Sequence, residues 1–282
     1  MDFFSIIILG IVQGLAEWLP ISSKTMVSIA YLQFLGGQVG MVIPILLSAH
    51  LGTMLAATIY FRREIIGLAH SFRMPAPTKE GLVSFSTTQH AFFLCALAAT
   101  GVIAIPLLVL QKLLLTNISI GWLLAVMGAG LILTAILLRT QSKTAKMRTE
   151  QSAGWLDGLA VGALQGLSAM PGLSRSGCTT TAAVWRGFNA EGAFRLSFML
   201  SIPTVFCAEM LLWGYQLYSE PASLGGMIGF SPLDALGLAL VSFVVGWLSI
   251  DALLKLAHKI DFSYLVGAFG LIMLIAGWTQ IG

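Results

Sequence analysis

Gly10-Ile-Val-Gln13-Gly14-Leu15-Ala-Glu17-Trp-Leu-Pro20-Ile-Ser22-Ser23-Lys24-Thr25 and Gly162-Ala-Leu-Gln165-Gly166-Leu167-Ser-Ala-Met-Pro171-Gly-Leu-Ser174-Arg175-Ser176-Gly177 read alike. A shift of 152 positions lays Gly10, Gln13, Gly14, Leu15 and Ser22 on Gly162, Gln165, Gly166, Leu167 and Ser174, while the prolines miss by one. In each copy an apolar helical pattern ends at a proline, which has no N–H to continue the ladder. The chain then resumes at a run of hydroxyls. The two stretches hold most of the polar groups that do not fall in loops.

The rest of the chain is a hydrophobic frame for them. Of 282 residues 57% are hydrophobic and 10% charged, against about a quarter charged in soluble domains. Mean hydropathy is +0.90. Lipid leaves helices and closed barrels as the only spanning structures, and these apolar runs are far longer than the ~10-residue strands of a barrel. The expected fold is therefore all-α and integral to a membrane. A net charge of +3 is too small to point to nucleic acid. Cys95, Cys178 and Cys207 all lie in apolar segments and read as small packing residues, not as metal ligands or disulfides. The first apolar run carries the motif itself and has no basic flank before it, so it does not read as a cleavable signal.

The spacing predicts helices over 3–19, ended by Pro20, and over 22–36, ended by Gly36-Gly37. At ~1.5 Å per residue the second is about 22 Å long, short of the ~30 Å hydrocarbon core. Spans follow at 41–61, at 90–111 with a kink expected at Pro106, and at 119–139. A polar loop is expected at 62–89 and another at 140–153. The pattern then recurs, with helices over 155–170 and 175–188 and spans at about 191–216, 232–255 and 262–281. Each half is one broken pair plus three spans. Three is odd, so if the broken pairs are re-entrant the halves, about 1–139 and 154–282, are inverted within a single membrane domain of 1–282.

Basic residues favour that arrangement. With re-entrant pairs, one side receives Arg62, Arg63, Arg73, Lys79, Arg139, Lys143, Lys146, Arg148, Lys255 and Lys259, and the other only Lys112, a ratio of 10:1. Letting the 3–19 and 155–170 helices cross fully would break this asymmetry. The positive-inside rule then makes 62–89 and 140–153 cytoplasmic. The C-terminus lies outside, and the tips of the two broken pairs meet near the midplane. Gly154, Gly158, Gly162 and Gly166 form a side-chain-free stripe that predicts close backbone packing of the second re-entrant helix.

The polar groups at the tips set the chemistry. Ser22, Ser23 and Thr25 open one restarted helix; Ser174, Ser176, Thr179, Thr180 and Thr181 open the other. Such serines can simply cap a helix, but two helix N-termini at one depth also make an anion site. Arg175 offers a planar fork of donors suited to phosphate, and its alternative role is as partner of Glu17. Glu17 is the only acid in either motif, one helical turn from Gln13. Lys24 is either a snorkelling lysine or a second phosphate contact. His50, inside a span, reads as a helix–helix hydrogen bond rather than a ligand. The residues suit an anionic head group on a hydrophobic tail and leave enzyme and transporter both open.

Gln13-Gly-Leu-Ala-Glu-Trp-Leu-Pro-Ile-Ser-Ser and Pro171-Gly-Leu-Ser-Arg-Ser-Gly-Cys-Thr resemble the two signature motifs of the undecaprenyl pyrophosphate phosphatases of the bacitracin-resistance type. The resemblance covers nearly the whole chain. It implies an inverted, re-entrant membrane fold and hydrolysis of a polyprenyl diphosphate to the monophosphate at the outer face of the plasma membrane, which recycles the lipid carrier of cell-envelope glycan assembly. It implies assistance by Mg²⁺ or Ca²⁺, with Glu17 as the ligand, and no organic cofactor. Glu17, Ser23 and Arg175 are the expected catalytic residues. Gln13, Ser22, Lys24, Thr25, Gln165, Ser174, Ser176 and Thr179 are the expected substrate contacts. Expected partners are the lipid diphosphate and the bilayer, with a homodimer open and no nucleic acid. Two positions depart from the pattern: Gln13 stands where the family has a first glutamate, and Met26 where it has a histidine. A histidine at 26 is expected to face the site and raise activity. The second reading, from another class, is a polyprenyl-phosphate flippase or lipid-binding protein that kept the fold without the chemistry.

Overall fold

The computed structural model describes residues 1–73, 86–115, 118–141, 147–219, 231–257 and 260–281. Among them the regular elements are helical: α1 Phe3–Ala16, α2 Ser23–Ile29, α3 Val42–Tyr60, α4 Arg62–Arg73, α5 Thr87–Leu115, α6 Ile120–Arg139, α7 Trp155–Leu167, α8 Arg175–Trp185, α9 Ala190–Ser219, α10 Pro232–Ala257 and α11 Ser263–Ile281. Six of these, α3, α5, α6, α9, α10 and α11, are long and apolar enough to cross a membrane. The protein is an all-α, multi-pass membrane protein.

The expected helices are present with adjusted ends. The first stops at Ala16, so Glu17 is its C-cap rather than an interior residue. The second divides into α2 and a π-helical turn, Ala30–Phe34. α5 runs through Pro106 without a break in its helical assignment. The expected polar loop at 62–89 begins instead with α4. Its Glu64 sits in the first turn, where the free N–H groups favour an acid, and Ile65 and Leu68 lie on one side against the core. Residues 74–85 and 142–146 of the two polar loops, and with them Lys79, Lys143 and Lys146, lie outside the described residues, as does Lys259.

Small residues set the closest helix contacts. A Cβ on Gly158 would sit 2.3 Å from the Phe92 carbonyl oxygen, and one on Gly162 would sit 2.2 Å from that of Ala96. One on Gly166 would meet the Ile103 side chain at 2.7 Å. Three of the four stripe glycines thus press α7 onto α5, while Gly154 is the N-cap of α7 and lies outside the contact. In the first half Gly10 and Gly14 bring α1 onto Val241 and Val245 of α10, and Gly52 brings α3 onto the Ala239 carbonyl. Lipid tails are as apolar as leucine, so helices in lipid are held by such close packing rather than by exclusion of water.

The turns that carry the motifs are pinned from outside. Gly172, at φ +84, lies where a Cβ would be 2.1 Å from the Met127 carbonyl oxygen of α6. Thr134 of the same helix accepts a hydrogen bond from the Ser174 amide at 3.1 Å. Trp18 is buried against Phe198 and donates its indole N–H to the Gly246 carbonyl at 3.1 Å. Where α7 and α9 begin and α8 ends, Asp157 pairs with Arg148 and Arg186, each at 2.7 Å, and Arg195 pairs with Glu64 at 3.0 Å and Glu150 at 3.4 Å. Cys178 is buried in α8, whereas Cys207 is exposed on α9 and is no packing residue.

Candidate active site

The break after α1 is built from its sequence. Glu17 closes the helix, with its amide bonded to the Gln13 carbonyl. The chain then turns through Pro20 to Ser22, a non-glycine residue at φ 60, and re-forms as α2 from Ser23. A left-handed serine costs about 1–3 kcal/mol and is tolerated where the surroundings over-determine it. Here the Ser22 and Thr25 hydroxyls lie 3.0 Å apart in a buried hydrogen bond. The second break is less strained. Ser174 caps α8 in the ordinary way, its hydroxyl accepting the Gly177 amide at 3.2 Å. The first amides of α8, from Arg175 and Ser176, have no place in the helical ladder and remain available as donors.

Three bonds tie one break to the other. Arg175 Nη2 lies 2.5 Å from Glu17 Oε1. The Ser176 hydroxyl donates to the Leu19 carbonyl at 2.9 Å, and Lys24 Nζ donates to the Ser168 carbonyl at 3.1 Å. The motifs, about 150 positions apart in the chain, therefore form one polar cluster.

Glu17 is its centre. Oε1 faces Arg175. Oε2 accepts from the Ser23 hydroxyl at 2.6 Å and from Gln13 Nε2 at 2.9 Å. His50 Nε2 lies 3.5 Å from the same Oε2. A charge buried this far from water costs several kcal/mol unless paired and hydrogen-bonded, and this carboxylate has both. The pairing of Arg175 with Glu17, one of the two roles open to it, is thus realised. Arg175 Nη1 also reaches the Ser197 carbonyl at 3.5 Å, and part of the fork still borders the cavity.

That cavity has a volume of about 300 Å³. Glu17, Ser22, Ser23, Lys24, Ser174, Arg175 and Ser176 line it, as do Gln165 and Ser168. Of the expected contacts, Gln13, Thr25 and Thr179 do not line it. Gln13 is buried behind Glu17 and also donates to Thr53 at 3.3 Å. Thr25 holds Ser22. Thr179 bonds back to the Arg175 carbonyl at 2.9 Å and lies 2.5 Å from the Ser197 hydroxyl. These three brace the residues that face the cavity. Gln165 mirrors Gln13, with Nε2 donating to Thr100 at 3.0 Å and to Thr204 at 2.9 Å.

Reading the motifs missed several polar lining residues, Thr100 and Thr204 among them, and three more stand out. His50 and Glu209 each stand in a span, and Gln111 lies at the far end of α5. Glu209 is buried and, among the described residues, has no hydrogen-bond or ion-pair partner. The signal for both His50 and Glu209 was present: an ionisable residue inside an apolar span is a functional hypothesis by default. His50 also shares a helical face with Thr53, three residues on. Met26, by contrast, packs on the apolar core and does not line the cavity.

Mg²⁺ and Ca²⁺ require six or more oxygens. Among the described residues no three His, Cys, Asp or Glu side chains gather into such a cage. Both oxygens of Glu17 are taken by donors, one of them cationic. Among the described residues, the side chains around Glu17 do not by themselves make a cage for a resident ion.

Comparison with known proteins identifies the family. Residues 6–278 match the family described as bacitracin resistance protein BacA. The undecaprenyl-diphosphatase of Methanococcoides burtonii is 39% identical over 276 residues, covering 95% of this chain and 96% of its own. That of Haloarcula marismortui is 34% identical over 271 residues, 96% of each chain. That of Pyrobaculum islandicum is 32% identical over 282 residues, 100% of this chain and 98% of its own. With its two broken helices joined at Glu17 and Arg175 and its whole length matched, the chain belongs to the BacA family of bacitracin resistance proteins.

Proposed function

We propose that this protein hydrolyses a polyprenyl diphosphate of the undecaprenyl type to the monophosphate and inorganic phosphate, recycling the lipid carrier of cell-envelope glycan assembly. The observation that carries the reading is the buried Ser23–Glu17–Arg175 cluster at a cavity between two helix breaks. A nucleophilic hydroxyl, a carboxylate and a guanidinium within one set of hydrogen bonds are what phosphoryl transfer asks for. The names of the relatives point the same way, and they favour a phosphatase over a flippase or binder on this fold.

The roles follow from position. The fork of Arg175, the amides that open α8 and Lys24 hold the diphosphate and neutralise charge on the transferring phosphoryl group. Ser22, Ser174, Ser176 and Gln165 supply hydrogen bonds around it. Ser23 attacks or orients a water, and Glu17 receives its proton. Gln13, Thr25 and Thr179 hold these side chains in place. The prenyl tail lies along the apolar lining, which includes Leu47, Leu108 and Leu212. No step requires a resident metal. A Mg²⁺ or Ca²⁺ ion would arrive as the counter-ion of the diphosphate.

The same reading makes the chain a single membrane domain with inverted halves, 1–139 and 154–282, joined by a cytoplasmic 140–153 loop. α1/α2 and α7/α8 are re-entrant because each member is shorter than the hydrocarbon core. The site opens to the outer face of the plasma membrane, and a homodimer is compatible with the exposed apolar sides of the spans. The test is direct: purified protein in detergent, given undecaprenyl diphosphate, releases one inorganic phosphate per lipid and leaves the monophosphate intact. No release from any of several prenyl lengths would overturn the proposal.

A further inference from the structure

A hydroxyl that attacks phosphorus must lose its proton, and position 26, where the family pattern places a histidine, holds a methionine turned into the apolar core. The proton needs another resting place. His50 lies 24 residues further along the chain, on α3, and its ring borders the same cavity as Ser23 and Glu17.

The ring is held in one state. His50 Nδ1 lies 2.7 Å from the Leu46 carbonyl oxygen, which can only accept. Nδ1 therefore carries the hydrogen, and in the neutral ring Nε2 carries the lone pair. Nε2 points to Glu17 Oε2 at 3.5 Å, and the Ser23 hydroxyl donates to that same oxygen at 2.6 Å. One carboxylate oxygen thus stands between the hydroxyl and a basic nitrogen. No hydrogen lies between Oε2 and Nε2 until the serine proton reaches Oε2, and catalytic contacts are often long before substrate binds and tighten in the complex.

We infer that His50 holds the proton that Ser23 gives up, receiving it through Glu17, and so takes the place left by Met26. The inference rests on the phosphatase reading above. Because it acts through Glu17, His50 is a positioning residue for the proton. As the Ser23 oxygen bonds to the terminal phosphorus, the bridging P–O bond breaks and its electron pair stays on the monophosphate. The serine proton passes to Glu17 Oε2 and on to His50 Nε2. The departing monophosphate takes it. A water then bonds to the same phosphorus and gives one proton along the same path. The phosphorus–serine bond breaks toward the serine oxygen, which recovers that proton, and inorganic phosphate leaves.

The charges around the ring are Glu17 from α1, Lys24 from α2 and Arg175 from α8, with Glu209 of α9 on the same cavity. From α10, Ala239, Ser242 and Phe243 pack on the neighbouring Gly52, and none is charged. The ring must be neutral to accept, so turnover should rise with pH through its titration and then level off.

The experiment compares the parent with His50→Gln, which keeps a hydrogen-bonding side chain of similar length. Phosphate release from undecaprenyl diphosphate is followed in detergent across pH 5–9. Expected is a fall in kcat on the order of 10²-fold, little change in KM, and loss of the acid limb seen in the parent. An active parent with a variant within about threefold, showing the same acid limb, would overturn the role of His50 alone. A parent that releases nothing would overturn the phosphatase reading, and this inference with it. Should His50→Gln fail to fold, His50→Ala with added imidazole takes its place. Saturable rescue that grows with the neutral imidazole fraction supports the role, and no rescue of a folded variant overturns it.

Discussion

Replacing Arg175 by lysine keeps the charge and removes the fork. In the parent, Nη2 lies 2.5 Å from Glu17 Oε1 while Nη1 reaches the Ser197 carbonyl at 3.5 Å. A lysine nitrogen can hold one of these positions, and pairing with the buried carboxylate is the stronger demand, since an unpaired buried charge costs about 3–5 kcal/mol. The variant therefore stays folded and loses the second prong on phosphate. Removing one donor aimed at charge that develops in the transition state costs about 3–4 kcal/mol, on the order of 10²–10³-fold in rate. The assay is phosphate release from undecaprenyl diphosphate under single-turnover and steady-state conditions, with a thermal melt in detergent as the folding control. Expected is that large fall in kcat with a near-parental melt. Turnover within about threefold of the parent would mean that Arg175 serves Glu17 alone, because a fork on phosphate cannot be replaced so cheaply.

Glu17→Gln abolishes turnover and also lowers the melting temperature, because it strips Arg175 of its counter-charge. Added polyprenyl diphosphate should recover more of that melt than it adds to the parent, since the phosphate replaces the lost anion; equal shifts would refute the pairing argument. Gly162→Ala would put a Cβ 2.2 Å from the Ala96 carbonyl oxygen and should destabilise the protein by about 1–3 kcal/mol. Gly154→Ala, whose Cβ would find its nearest neighbour at 4.0 Å, should leave the melt unchanged. Gln13→Glu would set a second carboxylate beside Glu17 and should make turnover depend on added divalent cation more steeply than in the parent. The same chelator titration on both proteins checks it.

The helices were legible wherever length and apolarity decided the matter, because lipid allows few alternatives. The stripe from Gly158 to Gly166 was legible for the same reason: four-residue spacing of absent side chains has one geometric use. α4 was hidden because an amphipathic helix rich in arginine shares its composition with a polar loop. The Glu17–Arg175 pair could be named from the motifs, but Lys24 reaching Ser168 and Ser176 reaching Leu19 could not. Those bonds depend on how two breaks dock, and no local pattern encodes it. His50 and Glu209 were legible one at a time as ionisable groups in apolar spans. What stayed hidden was that α3 and α9 turn them toward the same cavity. At 26, where the family pattern has a histidine, Met26 packs on the apolar core.

Gln13 shows why the loss of a family carboxylate need not disable the site. Its Nε2 lies 2.9 Å from Glu17 Oε2. Two carboxylates at about that separation would repel by about 5–6 kcal/mol at an effective dielectric near 20, so a glutamate pair must keep a proton or a cation between its members. The amide turns that repulsion into a donated hydrogen bond. Glu17 remains ionised against Arg175, and its second oxygen serves Gln13, Ser23 and His50 together. The charge sum of the cluster changes as well. With one carboxylate in place of two, Arg175 and Glu17 cancel. Lys24, whose nitrogen is bonded to the Ser168 carbonyl and not to an acid, is left as a positive charge at the cavity wall. A diphosphate entering the cavity meets an attraction that a second carboxylate would have screened. In this chain the site achieves with an amide and a lysine part of what a bound cation would otherwise supply.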